Sequence, residues 1–287
     1  METQTLSSSI IQNFIPARKS NSRKGDNGIV LVIGGSYIYH GAPVLSSLAA
    51  LRCGTDLVYT CVPKINVTPT RAISPNLIVI PLVDQKLTLG AVKKLVGALP
   101  RNLHSATIGM GLAIQEKNSL LHLVKSLLDR DVRLSLDASA LIPEVLPILA
   151  HKNVVVTPHA GEFKRLFGDI PSDSNIERIK LVEENALKYG ITVLLKGPTD
   201  IISDGKITYL CEKNTPAMTV GGTGDVLSGL VAGLLSTNRN SLESAAAASY
   251  ICGLAGKESQ EKLGFHMTSM DLINSLPSVM KPFDRIV

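Results

Sequence analysis

The chain has 287 residues, of which 45% are hydrophobic and 18% are charged, a composition that excludes a disordered chain and provides for a large buried core. The net charge of +5 comes without a basic face that carries interleaved aromatic residues, so we expect no nucleic-acid partner. No apolar run approaches the length of a membrane span and no signal peptide is evident, so we expect a cytoplasmic protein that makes no membrane contact.

The N-terminal segment holds the densest basic cluster of the chain, which is Arg18, Lys19, Arg23 and Lys24. We expect residues 1–20 to form a flexible or helical extension. The positive excess is compatible with a substrate that carries phosphates, although solubility alone would also account for it.

Short β-branched runs then alternate with helical patterns. The run "IVLVIGG" (residues 29–35) predicts a buried strand that ends in glycines, and "APVLSSLAALRCG" predicts a helix that stops at Gly54. Further strands are predicted in "DLVYTCVP", "NLIVIPL", "SATIGMGL", "VRLSLDAS", "NVVVTPH" and "ITVLLKG". This alternation predicts βαβ units and a parallel sheet.

The pattern changes in the last third of the chain. The run "DIISDGKITYL" carries a DG turn between two β-rich stretches and predicts an antiparallel hairpin at the sheet edge. From Thr223 onwards the pattern is helical nearly to the end. Because there is no repeat and no linker-like stretch, we expect a single domain over residues 1–287.

The four cysteines are Cys53, Cys61, Cys211 and Cys252, and none belongs to a CxxC pair. Each lies in an apolar stretch. They are interpreted as buried thiols in a reducing compartment, which argues against a zinc site or a disulfide framework.

Unusual residues gather where the predicted strands end. These are Gly34 with Gly35, Gly109 with Gly111, Asp137, His159 with Glu162, and Lys196 with Gly197. Because ligands of open α/β sheets bind beyond the carboxyl ends of the strands, we expect these residues to share one crevice.

The stretch "GGTGDVLSG" (residues 221–229) places one acid, Asp225, among glycines at a predicted helix start. Glycines and unpaired helix N–H groups together form an anion hole that suits a transferring phosphoryl group. An acid in such a hole would repel phosphate, so its expected role is to take a proton from an attacking hydroxyl. The alternative is a capping acid in the first helical turn. The stretch contains no Lys and is therefore not a GxxxxGK[ST] phosphate loop.

Five segments in order carry a resemblance to a known family. They are "KGDNGIVLVIGGS" (24–36), "HGAPVLSSLAALRCGTDLV" (40–58), "TPHAGEFKRLFG" (157–168), "VLLKGPTDIISDG" (193–205) and "NTPAMTVGGTGDVLSGLVAG" (214–233). They resemble the ADP- or ATP-dependent NAD(P)H-hydrate dehydratases of the ribokinase-like superfamily. The resemblance covers nearly the whole chain and implies a three-layer α/β/α fold with a mostly parallel central sheet and an antiparallel edge hairpin. It includes no epimerase domain.

The resemblance also implies the chemistry. The substrate would be hydrated NADH or NADPH, the phosphoryl donor ADP or ATP, and the metal Mg²⁺. Phosphorylation of the added hydroxyl and loss of phosphate would restore the reduced cofactor. The residues do not decide between ADP and ATP, or between the NADH- and NADPH-derived substrates. The resemblance also implies a homotetramer, because enzymes of this family often form tetramers.

Site residues follow from the resemblance one position at a time. The substrate would contact Ala42, Gly111, His159 and Asp225. The nucleotide would contact Lys196, Gly197, Pro198, Thr199, Asp200 and Gly224, and the anion hole would be Gly221, Gly222, Thr223 and Gly224. Glu162 would support Mg²⁺ indirectly. Asp137 stays outside this set, because the family's Asp-Ala-Asp is Asp-Ala-Ser here.

Each of these positions also has a structural interpretation. Ala42 would then serve only in helix packing, and His159 would be a structural histidine whose hydrogen bonds are satisfied. Glu162 would be an acid in a first helical turn, and Lys196 would be a solvated lysine at a strand end. "GMGLA" replaces the family's Gly-Pro-Gly-Leu-Gly at Gly111, and "HAGE" replaces His-Pro-Gly-Glu.

Two other functions are compatible with parts of the sequence. One is a ribokinase-like kinase that acts on a vitamin-precursor alcohol, and the other is a nucleotide-binding protein without catalysis. The histidine segment argues against the first, and Asp225 in an intact anion hole argues against the second.

Overall fold

A ten-stranded sheet forms the centre of the computed structural model, which describes residues 2–170, 174–212 and 215–287. Asn214, the first residue of the last motif segment, lies outside the described residues. The strands are β1 (Glu2–Thr5), β2 (Ile29–Ile33), β3 (Leu57–Pro63), β4 (Ile78–Leu82), β5 (Ser105–Ile108), β6 (Arg133–Leu136), β7 (Val154–Val156), β8 (Thr192–Leu195), β9 (Thr199–Ser203) and β10 (Ile207–Glu212). Their order across the sheet is β1-β10-β9-β8-β7-β6-β5-β2-β3-β4.

Helices connect the strands and cover both faces. They are α1 (Ser8–Phe14), α2 (Ala42–Arg52), α3 (Val67–Ile73), α4 (Leu89–Ala98), α5 (Lys117–Leu128), α6 (Leu146–Leu149), α7 (Ala160–Phe167), α8 (Asn175–Tyr189), α9 (Thr223–Thr237), α10 (Ser241–Leu263) and α11 (Ser269–Met280). Within the described part of the chain, none of them has both the length and the apolar character needed to span a bilayer.

The hydrophobic core has two main parts, one on each face of the sheet. On one face Leu31 packs with residues of α4, α5 and α8. On the other face Val30 contacts α2 and α9, and Val155 packs with α9, α10 and α11. Alternate residues of β2 therefore point to opposite layers, and all five of its residues are buried. This confirms the predicted three-layer α/β/α architecture with a mostly parallel sheet.

The predicted DG hairpin joins β9 to β10. Asp204 Oδ1 accepts hydrogen bonds from the N–H groups of Lys206 and Ile207 at 2.8 and 2.9 Å, and Gly205 has a φ of 85°. The pairs β8–β9 and β9–β10 are antiparallel. The hairpin lies next to the edge of the sheet, where β1 adds one more parallel strand along β10.

Residues 1–20 contain a strand as well as a helix, which differs from the expected flexible or helical extension. Glu2 pairs with Ile207, and the Leu6 N–H donates to the Leu210 carbonyl at 2.9 Å. Ile11 of α1 is fully buried. The short polar run at the start has weak strand character alone, and the open edge of β10 supplies the partner that makes it a strand.

Small residues bring α2 and α9 into close contact. A Cβ atom on Gly229 would lie 2.1 Å from the Ser46 carbonyl oxygen, so only glycine allows this approach. The Ser46 hydroxyl donates to the Asp225 carbonyl at 2.7 Å. The start of α9 is thereby fixed against α2 at the carboxyl end of the sheet.

All four cysteines lie within the described residues, and none forms a disulfide. Cys61, Cys211 and Cys252 are buried as predicted, whereas Cys53 is partly exposed. Burial raises the pKa of the Cys61 thiol, which makes it unreactive.

Candidate active site

Asp225 lies in the first turn of α9, directly after a glycine turn. Gly222 precedes the helix with a φ of 95°, and the Val226 N–H donates to its carbonyl at 3.0 Å. The N–H groups of Thr223, Gly224 and Asp225 come before this first intrahelical bond and therefore point out of the helix start. An acid and a set of amide donors therefore lie together at this helix start.

The glycine turn is held by its neighbours. A Cβ atom on Gly222 would lie 2.7 Å from both Leu45 Cδ1 and Ser269 Oγ. The Ser269 hydroxyl donates to the Gly221 carbonyl at 2.5 Å. The Thr223 hydroxyl donates back into the loop, to the Met218 carbonyl at 3.0 Å, so Thr223 offers its backbone N–H to the crevice.

Lys196, at the end of β8, makes a buried ion pair beside this helix start. Its Nζ lies 2.8 Å from Asp137 Oδ1 and 3.5 Å from Glu162 Oε2. The exposed fractions of the three side chains are 16%, 3% and 11%. A Cβ atom on Gly224 would lie 3.7 Å from Lys196 Nζ. Lys196 is therefore not the solvated strand-end lysine that the sequence allowed.

These charges act on Asp225. Burial and the Asp137 carboxylate raise its pKa from 3.8 to about 7; Lys196 opposes this rise and Glu162 adds to it. Burial disfavours the charge of Lys196, but the Asp137 and Glu162 carboxylates outweigh that effect and raise its pKa. Asp225 is thus a carboxyl group that takes up and releases a proton near neutral pH, which suits a general base.

His159 and Glu162 cap the start of α7 reciprocally. His159 Nδ1 accepts from the N–H groups of Gly161 and Glu162 at 3.0 and 3.3 Å, and Glu162 Oε2 accepts from the His159 N–H at 2.9 Å. The His159 side chain is still 60% exposed. The structural interpretation of both residues is therefore correct, and the exposed imidazole edge still permits a ligand contact.

The turn from Lys196 to Asp200 connects β8 to β9. Asp200 is fully buried, and its carboxylate accepts from the Gly197 N–H at 3.0 Å and from the Ser249 hydroxyl at 2.7 Å. Its side chain therefore holds the turn. Pro198 is exposed, whereas Gly197 and Thr199 are partly exposed.

Ala42 and Gly111 form a second group at the same end of the sheet. Gly111 follows β5 with a φ of 64°, and a Cβ atom on it would lie 3.3 Å from Ala42 Cβ and 2.6 Å from Tyr39 Cβ. Ala42 begins α2 and lies one turn before Ser46, which hydrogen-bonds to Asp225. The helix α2 therefore links this group to the start of α9.

Comparison with known proteins identifies the family of this arrangement. A family model described as NAD(P)H-hydrate dehydratase matches residues 30–278. The chain belongs to the NAD(P)H-hydrate dehydratase family. The ADP-dependent (S)-NAD(P)H-hydrate dehydratase of Nitrosopumilus maritimus is 78% identical over 287 residues, which is 100% of both chains.

Two solved structures place this dehydratase-family chain in the ribokinase-like superfamily. The ADP/ATP-dependent NAD(P)H-hydrate dehydratase of Bacillus subtilis, co-crystallised with ATP and Mg²⁺, is 25% identical, with a TM-score of 0.85 over 99% of this chain and 100% of that one. A ribokinase-like superfamily protein of Enterococcus faecalis is also 25% identical, with a TM-score of 0.82 over 99% and 97%. The predicted family and fold are confirmed.

Asp137 is the residue of this dehydratase-family site that sequence reasoning left out. It follows β6, and its Oδ1 accepts from both Lys196 Nζ and the Thr157 hydroxyl, the latter at 2.9 Å. A Cβ atom on Gly109 would lie 1.9 Å from the Asp137 carbonyl oxygen, so this glycine permits the close approach of two strand ends. The available signal was an acid directly after a buried strand.

Among the described residues, no group of three or more His, Cys, Asp or Glu side chains is arranged to hold a metal ion. Two carboxylates of the candidate site, Asp137 and Glu162, both contact Lys196. The side chains that the structure describes therefore provide no complete metal cage by themselves.

Proposed function

We propose that the chain dehydrates hydrated NADH or NADPH back to the reduced cofactor by nucleotide-dependent phosphorylation and elimination. The observation that carries the proposal is the carboxyl group of Asp225 with a pKa of about 7 beside the amide donors of Thr223 and Gly224. The high identity to a dehydratase of this activity supports the same assignment.

Asp225 is proposed as the base of the first step. It takes the proton from the hydroxyl that was added to the nicotinamide-derived ring, and the hydroxyl oxygen then attacks the terminal phosphorus of the nucleotide. The bond between that phosphorus and the bridging oxygen breaks. A base positioned in this way contributes about 10²–10⁴ in rate.

The helix start and Lys196 are proposed to hold the migrating phosphoryl group. The N–H groups at residues 221–224 donate to its oxygens, and Lys196, adjacent to Gly224, supplies positive charge. Because Asp137 and Glu162 hold the ammonium in place, little reorganisation is needed when the phosphate arrives.

Elimination completes the reaction. Hydroxide is a poor leaving group, whereas phosphate is a good one. The carbon–oxygen bond breaks and phosphate leaves with its electron pair, the neighbouring carbon loses a proton to water, and the electrons of that carbon–hydrogen bond form the double bond of the reduced ring. The phosphorylation step thus makes a difficult dehydration possible.

The remaining expected positions are proposed contacts. Ala42, Gly111 and His159 would contact the substrate, and Gly197, Pro198 and Thr199 would contact the nucleotide. Asp200 is proposed to act through the turn that it holds, since its carboxylate is fully buried.

Mg²⁺ is proposed to enter with the nucleotide. Mg²⁺ usually keeps several waters and binds proteins through only one or two carboxylates together with substrate phosphates, so Glu162 fits as a carboxylate that reaches the ion through water. When bound, the ion would neutralise charge on the phosphates. We propose ADP as the donor, because the relative at 78% identity is an ADP-dependent enzyme.

A homotetramer in the cytoplasm is proposed as the working form. The β2–α2 loop exposes 71% of Tyr37, 74% of Ile38 and 63% of Tyr39, which favours contact with another copy of the chain. Light scattering after gel filtration tests the tetramer, and a Tyr37→Ser/Ile38→Ser variant should dissociate it.

The proposed cytoplasmic location agrees with the cysteines, because thiols without disulfides are compatible with a reducing compartment.

The central experiment incubates the protein with hydrated NADH, Mg²⁺ and either ADP or ATP. Absorbance of the reduced nicotinamide should return, faster with ADP. Asp225→Asn should abolish the return while nucleotide binding persists. Absence of any return with both nucleotides would remove the proposal, and a phosphorylated product that accumulates would indicate a kinase instead.

A further inference from the structure

A large cavity lies at the amino ends of the strands, at the opposite end of the sheet from Asp225. It has a volume of about 830 Å³. Its wall includes His104 and Arg133, where β5 and β6 begin, and Arg52 and Ser236, where α2 and α9 end. A ligand here would therefore be separated from the candidate active site by the length of the sheet.

The lining of this cavity is strongly basic. Its cationic residues are Arg18, Lys19, Arg52, Arg133, Arg239, Lys281 and Arg285. Its acidic residues are Asp26 and Asp284, so seven positive charges face two negative ones. Within the described residues, none of the seven cations forms a salt bridge. Two members, Arg18 and Lys19, belong to the basic cluster noted in the sequence.

The rim of the cavity is fixed by backbone hydrogen bonds. The Arg18 N–H donates to the Arg285 carbonyl at 2.9 Å, and the Val287 N–H donates to the Arg18 carbonyl at 2.8 Å. Arg285 Nη2 also donates to the Ile15 carbonyl at 2.6 Å. The segment around Arg18 and the segment around Arg285 are thereby bonded to each other, and both place cations at the cavity.

Some donors of these guanidinium groups are already used. Arg133 donates from Nε to the His104 carbonyl at 3.0 Å and from Nη2 to the Ser236 carbonyl at 3.3 Å. Arg18 donates to the Gly54 carbonyl. Because a guanidinium group has five N–H donors, each arginine retains donors for a ligand.

Negative charge near the cavity does not cancel the excess. The ends of α2 and α9 contribute roughly half an elementary charge each. Asp56 and Asp131 lie outside the lining but interact with Arg18 and Arg133. After all four contributions the cavity keeps about two positive charges.

The pKa values of two lining residues, His104 and Arg133, are lowered by burial and by the neighbouring positive charges. Burial and the cations Arg133 and Arg239 lower the pKa of His104. Burial and Arg239 lower the pKa of Arg133, against an opposing effect of Asp131. Protonated and cationic forms are therefore destabilised here, as expected where burial is combined with like charges that outnumber the nearby acids.

We propose that the cavity binds a small, multiply charged anion that carries phosphate groups. Its volume falls within the range of about 300–1,000 Å³ that is typical of small-molecule sites. Arginine forks suit phosphate oxygens. Single-stranded nucleic acid would need exposed aromatic side chains, whereas Phe283 of the lining is buried. The site is independent of the proposed catalytic reaction.

The test uses inorganic tripolyphosphate as the probe, titrated calorimetrically into the full chain at low ionic strength. The cavity variant is Arg52→Gln/Arg239→Gln/Lys281→Gln, whose three side chains are exposed and make no hydrogen bond within the described structure. The control is Lys93→Gln/Lys94→Gln/Lys152→Gln, with the same charge change on exposed residues elsewhere. We expect at least about a tenfold loss of affinity in the cavity variant only. Equal affinity in the two variants would overturn the proposal.

A local readout separates this site from binding in the active-site crevice. The Ile29 N–H donates to His104 Nδ1 at 3.2 Å, which leaves Nε2 to titrate in the cavity. Tripolyphosphate should raise the pKa of His104. The measurement is an NMR pH titration of the His104 ring protons, whose signals are assigned by their absence in a His104→Gln variant. The exposed His122, outside the lining, is the internal control. A shift confined to other histidines, or no shift, would contradict the site.

Discussion

Lys196 Nζ lies 2.8 Å from Asp137 Oδ1, although the two residues are 59 positions apart in the chain. Each follows a strand of the parallel sheet, and β7 lies between those strands. The pair is almost completely buried next to the helix start that carries Asp225. Its two charges act on Asp225 in opposite directions, which gives the candidate site a testable electrostatic signature.

Substitution of Lys196 by methionine should move the acidic limb of the pH–rate profile to higher pH. Lys196 lowers the pKa of Asp225, so its loss makes the base harder to deprotonate. The variant should also lose about 3–5 kcal/mol of stability, because Asp137 is left as an uncompensated buried charge. The measurements are kcat/KM against pH and denaturant unfolding, with the exposed Lys164→Met as control. An unchanged limb would contradict the electrostatic role.

Substitution of Asp137 by asparagine should move the same limb to lower pH. The Asp137 carboxylate raises the pKa of Asp225, so a neutral amide removes that effect while retaining hydrogen bonds to Thr157 and Lys196. The pH profile of kcat/KM is again the measurement. Shifts in the same direction for the Lys196 and Asp137 variants would contradict the opposite charge effects that the two residues are expected to have on Asp225.

Asp225→Asn should stabilise the protein at alkaline pH. The pKa of Asp225 is raised from 3.8 to about 7, so the folded state binds a proton more tightly than the unfolded state. The wild type therefore loses stability as pH rises between those values, and the asparagine variant does not. At pH 8 we expect a gain of more than about 1.4 kcal/mol in the free energy of unfolding, the equivalent of one pKa unit. At pH 3 the gain should vanish, and urea unfolding at both pH values checks this.

Gly229→Ala should destabilise the fold and reduce activity together. Its Cβ would lie 2.1 Å from the Ser46 carbonyl oxygen, so α2 and α9 must separate at the hydrogen bond that fixes Asp225. We expect a loss of about 1–3 kcal/mol or more. Gly97→Ala in α4 is the matched control, since its Cβ would meet nothing within 4 Å. Thermal unfolding of both variants tests this expectation. Equal melting temperatures for Gly229→Ala and Gly97→Ala would exclude the packing explanation.

Much of the fold was predictable because its signals are local. Apolar β-branched runs separated by helical patterns predict a parallel sheet, and Asp204 with Gly205 predicts the hairpin turn. The strand β1 was not predictable, because its polar residues become a strand only along the open edge of β10. Its formation depends on a partner about 200 residues away in sequence, at Ile207 and beyond.

The sequence by itself determined the family, the acid at a glycine-marked helix start, and the grouping of strand-end residues at the carboxyl ends of the strands. The tertiary structure decided which of those residues face the crevice. Asp137 proved to be a partner of Lys196, whereas Asp200 is fully buried and accepts a hydrogen bond from its own turn. The reason is physical: a strand-end position follows from periodicity, but side-chain direction, desolvation and charge pairing arise only when separate strands pack together.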